Sequence, residues 1–208
     1  MARNKGSSHR WRARQTRDPY VDRAAREGYR SRAAFKLEEI DKRERLLKRG
    51  MTCVDLGAAP GGWSQLAIRR VAPKGRVIAI DLLPMDPIAD VEFLEADFMS
   101  DEGLASLRNI VEPRAVDLVM SDMAPNISGN RSIDQPRSMA LAESAMLFAD
   151  EVLKVGGNLL LKLFQGEGQK ELEDQIRARY ERLKLLKPKA SRPESREIYL
   201  LASRYRMV

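Results

Sequence analysis

Lys162 is the residue of this sequence that is hardest to explain by structure alone. It interrupts the apolar run 158–164, which predicts a buried strand, and a buried lysine needs a partner or loses its proton. Asp122 ends the preceding predicted parallel strand and could pair with Lys162 across the strand ends. Glu197 opens the last predicted strand, and Lys36 lies on a predicted amphipathic helix. Each charge alone also fits a strand end or a solvated helix face, but together they suggest a reactive cluster.

A loop of small residues supplies the second chemical feature. The run 55–64, D-L-G-A-A-P-G-G-W-S, joins an apolar strand to a helix and lets the backbone approach a ligand closely. Its spacing matches neither the dinucleotide fingerprint nor a P-loop. Asp55, two residues before Gly57, places an acid at the mouth of the loop, which suits a cationic cofactor without phosphate, such as S-adenosylmethionine (SAM). The alternative is a tight turn without a ligand.

Acidic residues recur where predicted strands end. Asp81 lies about twenty residues past the loop, where a carboxylate can accept hydrogen bonds from ribose hydroxyls. Asp97 and Asp122 end the next two predicted strands. Because ligands of open α/β sheets bind at the carboxyl ends of the strands, these acids are expected to share one crevice.

The elements that must position these residues alternate between strand and helix. Apolar runs predict seven strands, at 51–56, 76–82, 91–98, 115–123, 158–164, 183–186 and 196–203. Helical spacing predicts helices from residue 31 and over 63–71, 102–111, 136–155 and 167–179, and Gly156-Gly157 is expected to end the fourth of these. Alternating βα units followed by a terminal strand pair predict an α/β fold whose sheet is mostly parallel, with one antiparallel strand near an edge.

Length and composition narrow the class of protein. The 208 residues suit one domain, and the sequence has neither a membrane-spanning apolar run nor a secretory signal, so a cytoplasmic protein is expected. Cys53 is the single cysteine and is expected in the core, and His9 is the single histidine. Histidine catalysis and a metal site are therefore not expected.

The positive charge of the chain is local. The net charge is +7, and residues 1–32 alone hold ten Lys and Arg against three acids, which leaves the rest of the chain neutral. Residues 1–18 lack apolar periodicity and are predicted to form a flexible basic arm, in which Trp11 could stack on a base. A polyanion is the natural partner of such an arm, although a solvated tail without a role would have the same composition.

Six motifs make the chain resemble the FtsJ-type, or RrmJ-type, SAM-dependent 2′-O-ribose methyltransferases of RNA. They are R-S-R-A-A-F-K-L (30–37), D-L-G-A-A-P-G-G-W-S-Q (55–65), D-L-L-P-M-D-P (81–87), M-S-D-M-A-P-N (120–126), K-L-F-Q-G-E-G (162–168) and S-R-P-E-S-R-E-I-Y (191–199). The resemblance implies a Rossmann-like class I methyltransferase domain over residues 19–208, with seven strands and helices on both faces. It also implies that the family's catalytic Lys-Asp-Lys-Glu tetrad falls on Lys36, Asp122, Lys162 and Glu197.

Within that family the motifs favour the enzymes that methylate a uridine in the A-loop of large-subunit ribosomal RNA, on the assembled subunit. The resemblance places SAM against Gly57, Gly61 and Trp63, with Asp81 at the ribose, Asp97 near the adenine and Asp122 near the methionine amine. Lys162 would act on the ribose hydroxyl either as proton acceptor or as a cation that stabilises an alkoxide.

Basic residues at the rim of the crevice are the predicted RNA contacts: Arg30, Arg32, Arg192 and Arg196. A monomer is expected. Methylation of another RNA, such as a tRNA anticodon loop or an mRNA cap, and RNA binding without turnover during ribosome assembly are the alternatives.

Overall fold

A continuous seven-stranded sheet is the frame of this protein in a computed structural model that describes residues 18–207. The predicted arm therefore lies outside the described residues, apart from Asp18. The strands are β1 (Thr52–Leu56), β2 (Arg76–Asp81), β3 (Val91–Glu95), β4 (Val116–Ser121), β5 (Leu153–Phe164), β6 (Tyr180–Leu186) and β7 (Glu197–Tyr205). Their order is β3-β2-β1-β4-β5-β7-β6, and β7 is the one strand that runs antiparallel to the other six. The predicted sheet is confirmed.

Residues 18–207 form six helices, and all but the first cover the two faces of this sheet, as expected. They are α1 (Pro19–Glu27), α2 (Ala34–Glu44), α3 (Gly62–Val71), α4 (Asp101–Ile110), α5 (Arg131–Val152) and α6 (Gln169–Arg179). Apolar residues of α2 and α3 pack with one set of strand side chains, and those of α4, α5 and α6 pack with the alternate set. None of these helices has the length and apolar character needed to span a bilayer.

Helix α1 was not predicted, although its start carries a local signal. The side chain of Asp18 accepts a hydrogen bond from the Tyr20 amide, and Pro19 occupies the first helical position. Both are standard features of a helix N-terminus. Gly28 ends the helix in the left-handed conformation, with φ of 71°.

The predicted boundary between α5 and β5 was wrong. Helix α5 begins five residues before Pro136, capped by the Asn130 side chain, and ends at Val152 rather than at the glycine pair. Gly156 and Gly157 instead lie inside β5. The ladder between β4 and β5 shifts register there, so the glycines accommodate a bulge, which is a common place for glycine in a strand.

Candidate active site

The candidate reactive residues form a row across three neighbouring strands. Ser121 pairs with Leu161 in the ladder of β4 and β5, so Asp122, one residue beyond β4, lies beside Lys162. Lys162 in turn pairs with Tyr199 of β7. Since side chains alternate along a strand, these residues share the face of the sheet that α2 covers.

Three ion pairs connect the four residues of the predicted tetrad. Lys162 Nζ lies 3.0 Å from Asp122 Oδ1 and also donates to the Asp122 carbonyl oxygen. Lys36 Nζ, which α2 projects from above the sheet, lies 2.8 Å from Glu197 Oε1 and 3.9 Å from Asp122 Oδ1. The structure thus brings together residues that lie up to 161 positions apart in the sequence, which is the separation of Lys36 and Glu197.

Tyr199 is a fifth member of this group that the sequence analysis missed. Its hydroxyl donates a 2.6 Å hydrogen bond to Asp122 Oδ1, and its buried ring lies 5.8 Å from that of Trp63. The signal was present, because Tyr199 follows Glu197 by two residues on one strand and so shares its face. We refer to Lys36, Asp122, Lys162 and Glu197 as the tetrad. Tyr199 supports the tetrad through its hydrogen bond to Asp122.

The tetrad holds its two carboxylates in the charged form. Burial alone would raise the pKa of Asp122, but the two lysines and the Tyr199 hydroxyl outweigh it and lower that pKa. Burial likewise opposes ionisation of Glu197, and Lys36 lowers its pKa below the ordinary value. The pKa of Tyr199 is raised, by burial first and then by Asp122 and Glu197, so its hydroxyl remains a donor. Two lysines and two carboxylates give the cluster a formal charge of zero.

A cavity of about 450 Å³ opens on one side of Asp122, within the usual range for small-ligand sites. We call it the acidic cavity, because three carboxylates line it, those of Asp81, Asp97 and Asp122. Its apolar wall includes Leu82, Phe98 and Met99. Gly57 is part of its lining, and an added Cβ there would come within 2.5 Å of Met123 Cγ, so the absence of a side chain lets the loop pack closely against Met123.

Backbone amides orient two of these carboxylates. Asp81 Oδ2 accepts from the Ala59 amide and Oδ1 from the Leu83 amide, each at 2.8 Å, which ties the small-residue loop to the end of β2. Asp97 Oδ1 accepts from the Met99 amide at 2.8 Å. Asp97 lies two residues beyond β3 rather than at its end, because this strand is shorter than predicted.

Gly61 and Trp63 lie outside the lining of the acidic cavity. Trp63 is buried, and its indole nitrogen donates to the Ala33 carbonyl at 2.8 Å. An added Cβ at Gly61, whose φ is 107°, would meet Met85 at 2.7 Å and Ile88 at 2.8 Å. The Trp63 side chain, and the close approach of Met85 and Ile88 to Gly61, therefore pack the loop against neighbouring segments.

Asp55 does not lie at the mouth of the loop, contrary to expectation. Its side chain is fully buried, and its Oδ2 accepts a 2.6 Å hydrogen bond from the Ser64 hydroxyl in the first turn of α3. Its Oδ1 has no partner within the described chain. Burial raises the pKa of Asp55 from 3.8 to about 7, although the Ser64 bond acts in the opposite direction.

Replacement of Asp55 by asparagine is expected to remove a pH dependence of stability. The unfolded carboxyl ionises near pH 3.8 and the folded one near 7, so the folded state binds more protons and stability falls between those values. A shift of this size corresponds to up to about 4 kcal/mol. Urea unfolding from pH 4.5 to 8 should show Asp55→Asn gaining stability relative to wild type as pH rises. Ser64→Ala should keep the pH dependence, and a pH-independent difference between Asp55→Asn and wild type would contradict the assignment.

A second cavity, of about 350 Å³, opens on the other side of the tetrad, and we call it the tetrad cavity. Lys36, Lys162 and Glu197 line it, and Ala124 lines both this cavity and the acidic one. Two of the four predicted RNA-contacting arginines, Arg32 and Arg192, also line it.

Each of those four arginines has a partner within the chain. Asp18 Oδ2 pairs with Arg32 and lies 3.8 Å from the Arg192 Nε, so a carboxylate rests between the two guanidinium groups. Arg30 donates to the carbonyl of Pro87 at 2.8 Å, and Arg196 donates to that of Gln165 at 3.2 Å. Among residues 18–207 no group of three or more metal-ligating side chains occurs.

Comparisons with known proteins agree on one family. A family model described as FtsJ-like methyltransferase matches residues 29–205. A Legionella pneumophila (strain Corby) protein named ribosomal RNA large subunit methyltransferase E is 52% identical over 207 residues, covering 100% of both chains. A protein of the same name from Hydrogenovibrio crunogenus is 51% identical over 97% of this chain and 98% of its own. A solved Plasmodium falciparum structure, described as a ribosomal RNA methyltransferase, superposes with a TM-score of 0.76 at 30% identity, covering 85% of this chain and 98% of that one.

Proposed function

Since the chain belongs to the FtsJ-like methyltransferase family, we propose that it methylates the ribose 2′-hydroxyl of a uridine in the A-loop of large-subunit ribosomal RNA, with SAM as methyl donor. The substrate we propose is the assembled large subunit, in the cytoplasm. The names of the two bacterial relatives support ribosomal RNA as the substrate class. The choice of an A-loop uridine and of its 2′-hydroxyl rests on the family resemblance that the motifs given above carry.

One observation carries this proposal: the tetrad lies between two cavities of opposite character. The acidic cavity is on the Asp122 side, and the tetrad cavity, whose lining includes Arg32 and Arg192, is on the other. Ala124 lines both. A positively charged cofactor and a negatively charged nucleic acid would therefore meet at Lys162.

The acidic cavity fits SAM in charge and in size. Three carboxylates and no phosphate-binding loop favour a ligand that is cationic and free of phosphate, and a volume of about 450 Å³ is suited to a small ligand. Asp81 would hold the ribose hydroxyls, Asp97 the adenine amine and Asp122 the methionine amine, with Leu82 and Phe98 against the adenine ring. Gly61 and Trp63 would contribute by shaping the loop. When bound, SAM supplies a sulfonium methyl group already activated for transfer to oxygen.

The tetrad supplies what a neutral ribose hydroxyl lacks as a nucleophile. We assign Lys162 to the 2′-oxygen, either as an uncharged amine that accepts the hydroxyl proton or as a cation that stabilises the negative charge developing on the oxygen while a carboxylate of the tetrad accepts that proton. Asp122 and Tyr199 fix the position of the Lys162 Nζ, and Glu197 fixes that of Lys36. The cluster is formally neutral, so a proton accepted from the hydroxyl raises its charge by one and must then pass to solvent.

RNA is proposed to enter the tetrad cavity with its phosphates on Arg32 and Arg192. The Asp18 carboxylate lies against both guanidinium groups, and an RNA phosphate would take the place of this carboxylate. Arg30 and Arg196 are proposed contacts at the rim, and the basic arm over 1–18 would add phosphate contacts beyond it. The domain itself is proposed to span residues 19–208.

Transfer of a labelled methyl group from SAM to purified, undermethylated large ribosomal subunits tests this function directly. Wild type should produce 2′-O-methyluridine, identified after digestion to nucleosides, and Lys162→Ala should produce none while still binding SAM. Labelling of tRNA or capped mRNA in place of the subunit would assign the enzyme another RNA. Absence of transfer to any of these RNAs, with SAM binding intact, would instead favour an assembly factor without turnover.

A further inference from the structure

A third cavity, of about 400 Å³, opens at the end of the sheet opposite the tetrad. It lies where the connection from α2 to β1 meets the start of β6 and the end of β7. Six of its polar lining residues are Arg45, Lys48, Asn158, Arg182, Lys184 and Arg204. We call it the basic cavity, because its lining carries five cations and one acid, Glu44.

Three of the five cations have no carboxylate partner within the part of the chain that the structure describes. Arg45, Lys48 and Arg182 lie in no ion pair within 4.0 Å there, and all three are exposed. Glu44 cannot balance them, because it already pairs with Lys184 and lies 3.3 Å from Arg43. Arg204 pairs with Glu181 at 3.2 Å on the exposed surface. The cavity therefore presents unbalanced positive charge.

A line of basic residues joins this cavity to the tetrad cavity. The segment 182–193, R-L-K-L-L-K-P-K-A-S-R-P, contains five basic residues and no acid. It begins in the basic cavity with Arg182 and Lys184, follows the edge strand β6, and reaches the tetrad cavity at Arg192. Lys187 lies between, with its Nζ 3.0 Å from the Glu197 carbonyl oxygen.

Protection of an exposed sheet edge explains only part of this pattern. Charged side chains on an edge strand discourage pairing with other chains, which would account for Arg182 and Lys184. It does not account for Arg45 and Lys48, which come from a different segment and converge on the same cavity. Converging unpaired cations from separate segments are typical of a site for phosphates.

We propose that the basic cavity and the segment 182–192 form a second RNA-binding surface, which holds phosphates of the substrate RNA away from the target nucleotide. The inference rests on the proposed function, in which RNA enters at the tetrad. Helix α2 connects the two regions, since Lys36 lies near its start and Arg45 immediately after its end, roughly 13 Å apart along the helix axis. One RNA segment, or two neighbouring segments of a folded RNA, can contact both.

Neutralisation of two unpaired cations tests this surface. Lys48→Gln combined with Arg182→Gln is expected to weaken binding to protein-free large-subunit ribosomal RNA about tenfold, and to lower the slope of log K against log salt by about 2. The matched control is Lys74→Gln with Lys170→Gln, which removes the same charge at exposed positions outside the three cavities. The control should bind RNA like wild type, and both variants should keep the wild-type SAM affinity, which reports an intact fold.

Three results would overturn the proposal: an unchanged salt slope in the test variant, an equal loss in the control, or a loss seen with intact large subunits but not with protein-free RNA. The last would indicate a protein partner at the cavity. Methyl transfer by wild type to the same subunits is measured in parallel. Weaker RNA binding by the test variant without wild-type transfer would support the surface and reject the proposed reaction, so the two failures are distinguishable.

Discussion

Methionine in place of Lys162 is expected to lower kcat at least about a thousandfold, with the SAM Kd within about threefold of wild type. Methionine preserves much of the volume of the side chain but removes the only group of β5 that reaches the Asp122 carboxylate. A loss of this size is expected because the variant lacks the group that would act on the ribose oxygen as its alkoxide character develops. Steady-state methyl transfer to undermethylated subunits measures kcat, and equilibrium titration measures SAM binding.

Lys162→Arg separates the two chemical roles open to this lysine. Arginine keeps the positive charge but does not release a proton in proteins. Transfer at one hundredth of the wild-type rate or faster would support charge stabilisation, whereas a loss equal to that of Lys162→Met would assign proton acceptance to Lys162. A Lys162→Met enzyme with near wild-type kcat would contradict both roles.

Asp122→Asn is expected to lower kcat about a hundredfold or more and to destabilise the fold by roughly 3 kcal/mol. Asparagine retains the shape and can still accept from Tyr199, but it leaves Lys162 without its carboxylate and Lys36 with Glu197 alone. Removing one partner of a largely buried ion pair leaves an uncompensated charge, which explains the size of the effect. Urea unfolding and methyl transfer measure the two quantities.

Glu197→Gln is the matched control for this prediction. Glu197 pairs only with Lys36, whereas Asp122 lies near both lysines, so the control should lose less activity and less stability. Equal losses in the two variants would contradict a central position for Asp122. A stability loss without an activity loss in Asp122→Asn would assign that residue a structural role only.

Most of the sheet could be predicted from the sequence, because each strand carries a local signal. Apolar runs such as 76–82 and turn residues such as Gly57 depend on neighbours a few positions away. The boundary of α5 was misplaced for the opposite reason. Gly156 and Gly157 favour a helix end locally, but the ladder between β4 and β5 accommodates them as a bulge within a strand. Only long-range pairing decides between these two outcomes.

The candidate site divides in the same way. The sequence was enough to single out the four residues of the tetrad, because a charge inside or at the end of an apolar strand stands out locally. The pairing of Asp122 with Lys162 was also predicted, but that of Lys36 with Glu197 was not, because it depends on β7 inserting between β5 and β6. That insertion sets Tyr199 beside Lys162 and brings its hydroxyl to Asp122.

The sequence by itself determined which residues carry charge, which face of a strand each one shares, and where the chain turns. The tertiary structure decided which charges meet, apart from the pair of Asp122 and Lys162. It buried Asp55 against Ser64 instead of exposing it, placed the Asp18 carboxylate between Arg32 and Arg192, and gathered Arg45 and Arg182 around one cavity. The physical reason is that strand order and helix packing set distances between residues far apart in the chain, and electrostatic energies depend on those distances.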